Sequence, residues 1–458
     1  VDEMIPISEI RAAGYNVAVS DEMINKIREW GEIYENKAPW LQGDIEKRVT
    51  SLELPAGIAS EFSRLILYKG KSWITAKGAN GENPRSQWLQ EQYSNFMKGL
   101  RPELEVACAV GGMVFKPYIV NDRIYVDTIA NDRFIPCAFD LEGNITEAVF
   151  LSKAVIGNKY YTRLECHSWK PDSRYEITNR VFSSNMSNTL GTECSFSEVP
   201  QWSGIKERTP FTKVKQPLFS YFRLPIANNI DRNSAMGISC FSRSINQIRQ
   251  ADEQWERTMW EFQGSELAVM AESGMFRIVK GEADIPSGNK RLYRIFQDTD
   301  SKGLFKEFAP GIRDSSLFNG LNRIFQRIEF NCGLAYGVLS DPQTVEKTAE
   351  EVKSSKQRSL THIQNIQEAL EDSLQHLIYA LDAYADICEL SPSGEYETVF
   401  EWGDGVTEDR DKEFARRLQL VSAGKLKAEK LLAWYFGCSE DKAKEYMPDN
   451  SPLFGGDL

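Results

Sequence analysis

Helical periodicity opens the chain. Ser20 and Asp21 stand where a helix cap belongs, ahead of an apolar stripe at Ile24, Ile27, Trp30 and Ile33. Further helices are expected over about 55–67 and 87–98. From 104 to 126 the composition turns strand-like, with Gly111-Gly112 read as a helix-to-strand corner. Polar–apolar alternation in Arg123-Ile124-Tyr125-Val126-Asp127-Thr128 predicts a half-buried strand. Strands are expected to continue to about Phe222, broken by turns at Glu142-Gly143-Asn144 and Pro171-Asp172-Ser173.

The pattern changes at Asn233. Ile238, Phe241, Ile245, Ile248, Trp255, Met259 and Phe262 recur at steps of three and four, interrupted only by Asp252. This is a narrow heptad seam on a helix expected over 232–264. A strand-rich insert follows, then a second helix with Leu317, Leu321, Ile324, Ile328 and Cys332 at similar spacing. From Gln343 to Ser391 there is neither Gly nor Pro, and Asp341-Pro342 supplies an N-cap and a proline at the first helical position. A continuous helix there would run roughly 70 Å. Its first half is charged. Its second half carries a buried stripe at Ile363, Ile366, Leu370, Leu374, Leu377 and Leu381, with a bend or a change of environment expected near Ser359. A short strand (398–402) and two or three small helices close the chain.

At 458 residues the chain exceeds one ordinary core, so two or more sub-domains are expected. With 41% hydrophobic and 26% charged residues it has the balance of a soluble globular protein. No apolar run approaches the ~18 residues of a membrane span. The opening Val-Asp-Glu-Met carries neither the basic nor the apolar region of a secretory signal, and is expected to be a trimmed start. Eight scattered cysteines without a C-x-x-C pair are read as reduced, mostly buried thiols, which suits assembly in the cytosol. A net charge of −12 (54 − 66) repels phosphate and argues against a sequence-reading DNA binder. An acidic surface past which DNA slides without sticking stays open.

Catalytic motifs are thin. Gly70-Lys71-Ser72 lacks the upstream glycine of a phosphate loop, since Leu65 stands there, and is read as a helix C-cap. His167, His362 and His376 are far apart, and Cys166 and His167 alternate across a strand, so neither set predicts a metal site. Asp382 with Asp386, and Asp404, Glu408, Asp409 and Asp411, are conceivable as a metal-dependent nuclease centre. The simpler readings are a solvated helix face for the first pair and a helix N-terminus for the second set. The basic run Lys353, Lys356 and Arg358 has two readings, an exposed face paired with Glu350 and Glu351 or a phosphate-facing surface.

Several segments carry a family likeness: VGGMVFKPYIVNDRIYVDTIANDRFIPCAFDLEGNITEAVF, YYTRLECHSW with YEITNRVF, PIANNIDRNSAMGISCFSRSINQIRQADEQW, CGLAYGVLSDPQTVEKTAEEVKSSKQRS and VSAGKLKAEKLLAWYFG. Taken collinearly from about Gly14 to Met447, the chain resembles the portal proteins of tailed bacteriophages, most of all the branch of siphophages of Gram-positive hosts. The resemblance implies an α+β portal fold: a wing (1–231), stem helix 1 (232–264), clip insert (265–313), stem helix 2 (314–336), tunnel loop (337–350), long wing helix (351–392) and small helical crown (393–458). It implies a non-enzymatic subunit without cofactor, forming a dodecameric ring at one capsid vertex of the virion, assembled in the host cytoplasm. Expected partners are other copies of the chain, the terminase (which hydrolyses the ATP), a head–tail adaptor, scaffold and capsid proteins, and double-stranded DNA held non-specifically. By the same resemblance Gln343, Thr344 and Lys347 would approach DNA in the channel, with Lys353, Lys356 and Arg358 behind them. The stem would pack through Phe241, Ile245, Ile248, Trp255, Met259, Leu321, Ile324 and Ile328. The residues of the clip match nothing closely, which leaves the identity of adaptor and terminase open. The alternatives are a metal-dependent DNA-processing enzyme of a phage, or another phage structural protein.

Overall fold

The computed structural model describes residues 5–42, 49–78, 83–120, 123–212, 214–265, 311–341, 349–403, 410–436, 440–444 and 446–447. It also describes the backbone of five strands between 268 and 308, and at 349–353, 410–413 and 440–441 likewise the backbone alone. The chain is mixed α and β and divides into two compact units, Val1–Trp402 and Gly403–Leu458.

The first unit begins with α1 (Ile7–Ala12) and α2 (Asp21–Tyr34). Ser20 caps α2 by accepting from the Met23 amide at 3.2 Å, and the buried stripe is the expected one with Met23 added. After α3 (Leu54–Ile66), Leu67 caps the helix. Gly70 therefore lies in the turn beyond the cap, and Lys71 and Ser72 already belong to β1 (Lys71–Ala76). Next comes α4 (Pro84–Val110), which corrects the expected helix end near 98: it runs through Pro102 to Val110. An interior proline costs about 3 kcal/mol. Here the buried stripe Leu89, Tyr93, Leu100, Leu104, Ala107 and Cys108 outweighs it, with an Asn83–Ser86 capping box at the start. Gly111 (φ +92°) ends α4 and turns the chain into β2, the expected corner.

Strands β2 (Gly112–Val120) and β3 (Arg123–Ala130) form a hairpin, followed by β4 (Phe134–Phe139), β5 (Ile145–Ile156), β6 (Lys159–Trp169), β7 (Tyr175–Ser184), β8 (Thr192–Cys194), β9 (Arg208–Phe211) and β10 (Ser220–Arg223). They make two antiparallel sheets. One is ordered β10-β2-β3; the other is β4-β5-β6-β7-β8, with β9 also on β7. As the alternation requires, Cys166 and His167 face opposite sides. Cys166 lies in the small core with Ile135, Val149 and Leu164, while the His167 ring packs edge-on to Phe150 and Phe219.

The stretch 232–241 is not helical. Helix α5 (Ile245–Gly264) starts after a short turn at Ser242–Ser244, later than the seam suggested. A close crossing explains this: a methyl group on Gly237 would stand 1.9 Å from the Gly111 carbonyl oxygen, and the Cys240 amide donates to the Cys108 carbonyl at 3.0 Å. The extended segment laid on the end of α4 buries Ile238 and Phe241 before any helix begins. The insert holds β11 (Ala268–Glu272), β12 (Ile278–Val279), β13 (Glu282–Ala283), β14 (Tyr293–Phe296) and β15 (Phe305–Phe308), in a β14-β11-β15 sheet and a β12–β13 hairpin. Then α6 (Asp314–Cys332) returns along α5, and α7 (Ala349–Ile387) runs back against α3, α4, β2 and β10, in the body of helices and strands before residue 232 that is called the wing below only after the family the chain resembles. The stripe Ile363, Ile366, Leu370, Leu374, Leu377 and Leu381 of α7 is buried throughout. Last, β16 (Tyr396–Glu401) pairs antiparallel with β1.

The second unit contains α8 (Arg410–Ser422), α9 (Ala428–Phe436) and α10 (Glu440–Lys444), joined by contacts of Phe414 with Tyr435 and of Phe436 with Tyr446. Among the described residues no helix is long and apolar enough to cross a membrane. Of the described cysteines, Cys108, Cys137, Cys166, Cys240 and Cys332 are buried free thiols and Cys388 is exposed.

Candidate functional site

The two seam helices lie side by side. Ile248 and Ala251 of α5, and Leu321, Ile328 and Cys332 of α6, are buried; Ile245, Trp255, Met259 and Ile324 are only half-buried. Phe262 meets Phe318 at 6.1 Å, and Arg313 forks onto Glu261 (3.0 and 2.8 Å) where the insert joins the hairpin. On the outer side three aromatic rings stand among polar and charged side chains such as Arg249, Arg257 and Arg323: Trp260, Phe318 and Phe330 are 65%, 42% and 47% exposed. Asp252, which breaks the seam in the sequence, is buried and accepts from the Trp40 indole (2.9 Å) and the Leu52 amide (2.8 Å). Glu256 accepts from Thr50 in the same way, so the chain at 50–52 is tied to α5. Burial raises the Asp252 carboxyl above its ordinary range, against the two donors that lower it.

Beyond α6 the chain turns sharply at Gly333 (φ +77°) and Gly337 (φ +92°), the two glycines that permit it. The turn is organised by one side chain absent from the sequence reading. Glu329 is fully buried and accepts four hydrogen bonds: the amides of Gly337 (3.0 Å), Leu339 (2.7 Å) and Ser340 (2.9 Å), and the Ser340 hydroxyl (2.8 Å). A carboxylate with only donors around it acts as the anion of a backbone nest. Asn322 takes the Asp341 amide at 2.8 Å, also from α6, and Ser355 of α7 takes the Tyr336 amide at 3.0 Å. The segment leading to 342 is therefore fixed chiefly to α6. A glutamate four residues before the first glycine of the turn could have signalled this; the periodicity alone hides it on the seam side of the helix.

Gln343, Thr344 and Lys347 lie outside the described residues. Lys353 is on α7 with its side chain outside them, and Lys356 is exposed. Arg358 is half-buried and turned inward: its guanidinium lies 4.5 Å from the Phe330 ring centroid and 5.9 Å from that of Tyr336. The Asp382–Asp386 pair is not a merely solvated face. Both carboxylates meet Arg85, buried at 1% exposure, which contacts Asp382 at 3.4 Å, is hydrogen-bonded to Asp386, and also donates to the Pro392 carbonyl at 3.1 Å. A side chain from α4 thus satisfies them both. Burial raises Asp382 while Arg85 opposes it. Of the second acidic set, Asp404, Glu408 and Asp409 lie outside the described residues and only the backbone of Asp411 is described. Scanned against protein-family models the chain matches none, and a search of curated proteins finds no relative.

Proposed function

We propose that this chain is the subunit of a tailed-bacteriophage portal ring, a structural channel for DNA rather than an enzyme. The observation that carries the reading is the α5–insert–α6 hairpin. It is packed on one side, carries three exposed aromatic rings among polar side chains on the other, and is followed by a tightly held turn at 333–341 and, further along the chain, the 39-residue helix α7. Exposed aromatic surface on a rigid helix pair calls for cover by another protein. Copies repeated around a closed axis supply it without leaving an open end. The order of elements along the chain agrees with the wing, stem, clip, stem, tunnel loop, long helix and crown of the family it resembles. The net charge of −12 lets phosphate pass with little retention, and local cations such as Lys356 would touch the backbone without reading bases. The insert would meet the terminase and then the adaptor. The nuclease alternative is weakened because Arg85 occupies Asp382 and Asp386. The test is negative-stain imaging with native mass measurement of the purified chain. Rings with a central hole and a mass near twelve subunits are expected, and a species that stays monomeric at micromolar concentration overturns the proposal.

A further inference from the structure

Behind the turn, side chains from three elements converge with more donors than acceptors. Arg358 stacks on Phe330, whose ring Arg327 also approaches at 5.5 Å, yet its Nε and Nη2 are buried with no hydrogen-bond partner among the described residues. His362, one helical turn further along α7, is clamped between Phe62 and Gly333. Its ring stands edge-on to Phe62 at 5.8 Å, and a methyl group on Gly333 would lie 2.8 Å from its Cδ2. Its Nε2 is likewise buried and unpartnered. Arg243, just before α5, is the third member; its Nη2 reaches the Ala227 carbonyl at 3.0 Å, which leaves its other donors unused by that bond. Burial first, then Arg243 and Arg358, holds His362 below the usual imidazole range, the mark of a positive field at this spot.

Buried donors without acceptors are rare because each forfeits the hydrogen bonds it would make to water. Here three such atoms sit on two side chains held by ring contacts rather than by hydrogen bonds, and the exposed Arg243 stands close enough to act on His362. We propose that this junction of α6 and α7 is an oxyanion site for a phosphate group, held by Arg358 and His362 with Arg243 as the outer charge. Phosphate oxygens match a guanidinium edge and an imidazole N–H in both number and charge. The site does not depend on the ring reading, since it lies within one chain. The phosphate is either free inorganic phosphate or a phosphodiester of DNA, which the experiment separates.

The full chain in chloride buffer, at constant ionic strength, is titrated with sodium phosphate and separately with a short DNA duplex, by calorimetry and by phosphorus-31 line width. Wild type is expected to bind at least one of the two saturably. Arg358→Gln and His362→Gln should each weaken that binding about tenfold, the loss of one charge-assisted bond, while Lys98→Gln, an exposed cation on α4, should leave it unchanged. Weakening of inorganic phosphate binding identifies a free anion; weakening of duplex binding alone identifies a DNA phosphate. If neither ligand responds to the two variants, or if Lys98→Gln lowers binding as much as they do, the site does not exist. Should Arg358→Gln fail to fold, His362→Gln against Lys98→Gln decides alone. Imaging the same preparations for rings keeps this result separate from the assembly question.

Discussion

The wing and the α5–α6 hairpin come from the same kinds of residue but close their surfaces differently. In the wing even charged groups are enclosed with partners. Lys116 reaches Glu165 at 2.7 Å, Arg163 reaches it at 3.1 Å, and His167 bridges Glu165 (2.9 Å) and the Tyr175 hydroxyl (2.8 Å). Arg85 does the same between α4 and α7. These charged groups of the wing are completed within a single chain. The hairpin instead leaves half its seam half-buried and three aromatic rings exposed. The wing too exposes apolar side chains, Leu141, Val155 and Met186 among them, but those stand on turns and strand ends, whereas Trp260, Phe318 and Phe330 stand on a packed helix pair.

The sharpest way to break the wing's completeness is at the glycine crossing. Gly237→Ala places a methyl group 1.9 Å from the Gly111 carbonyl oxygen, where only backbone could move. We expect a loss on the order of 4 kcal/mol or more, seen as insoluble chain or a collapsed urea midpoint. A near-native midpoint would mean the crossing is loose. Arg85→Ala comes next. It strips two carboxylates and the Pro392 carbonyl of a buried partner, and should cost about 2–4 kcal/mol in chemical denaturation, discounted because Asp386 is largely exposed. Arg85→Lys, which lacks the fork, should recover only part.

In the hairpin the balance reverses. Trp255 is half-buried, so Trp255→Ala should lower the stability of the isolated chain by only about 1–2 kcal/mol, less than the ~3–5 of a fully buried aromatic. Ring yield should fall much further. Equal losses in both readouts would place Trp255 in an internal core and remove it from the assembly surface.

Acid should act first on the wing. His167, His362 and His376 are each held below the usual imidazole range, burial being the largest cause. The unfolded chain therefore takes up protons first, and stability falls as pH drops below about 6.5. Glu165 is held well below its ordinary range, chiefly by Lys116 and His167 against burial; its contribution is present above the unfolded carboxyl value and is lost at still lower pH. Thermal melts from pH 8 to 5 check the sign, and His167→Asn should flatten the upper part of the slope. A melting temperature that rises between pH 7 and 5.5 would contradict these shifts. The smallest effect on stability is expected from Lys347→Glu. If the chain is a portal subunit as proposed, assembly should be unchanged, with less DNA in assembled heads; unaltered DNA content would remove Lys347 from the proposed DNA path.

Periodic burial was legible in the sequence. The stripes of α2, α6 and α7 and the alternation of β3 follow from a helix or strand presenting one face to a core, and the cap at Ser20 from the hydrogen-bonding capacity of its side chain. What was not legible depends on neighbours distant in the chain. The helix expected over about 87–98 continues through Pro102 to Val110 because its buried stripe has β2 and α7 lying against it. Ile238 and Phe241 have the spacing of a helix, yet the approach of Gly237 to Gly111 requires extended chain there. Asp382 and Asp386 read as a wet face because nothing near them in sequence announces Arg85. Asp252 reads as an interruption and Glu329 passes unnoticed, although each gathers backbone donors of another segment. At the candidate anion site the lone histidine and the basic run were visible separately; only the fold sets them side by side.

The pairing of β1 with β16 has a consequence for how the protein is made. Lys71 finds its strand partner at Glu401, and the Ile66 carbonyl waits for Gln367, so the beginning of the wing is closed by its end. A nascent chain that has emerged only as far as α6 still displays the apolar faces of α3 and α4 that α7 will cover. The hairpin contacts span about 50–90 residues, whereas wing closure waits for α7 and β16, about 300 residues after their partners, and is slower to search. During that interval two sticky surfaces coexist on one ribosome-bound chain. Neighbouring ribosomes on one transcript then hold such chains close together, where hairpins able to pair would meet unfinished wings that must not.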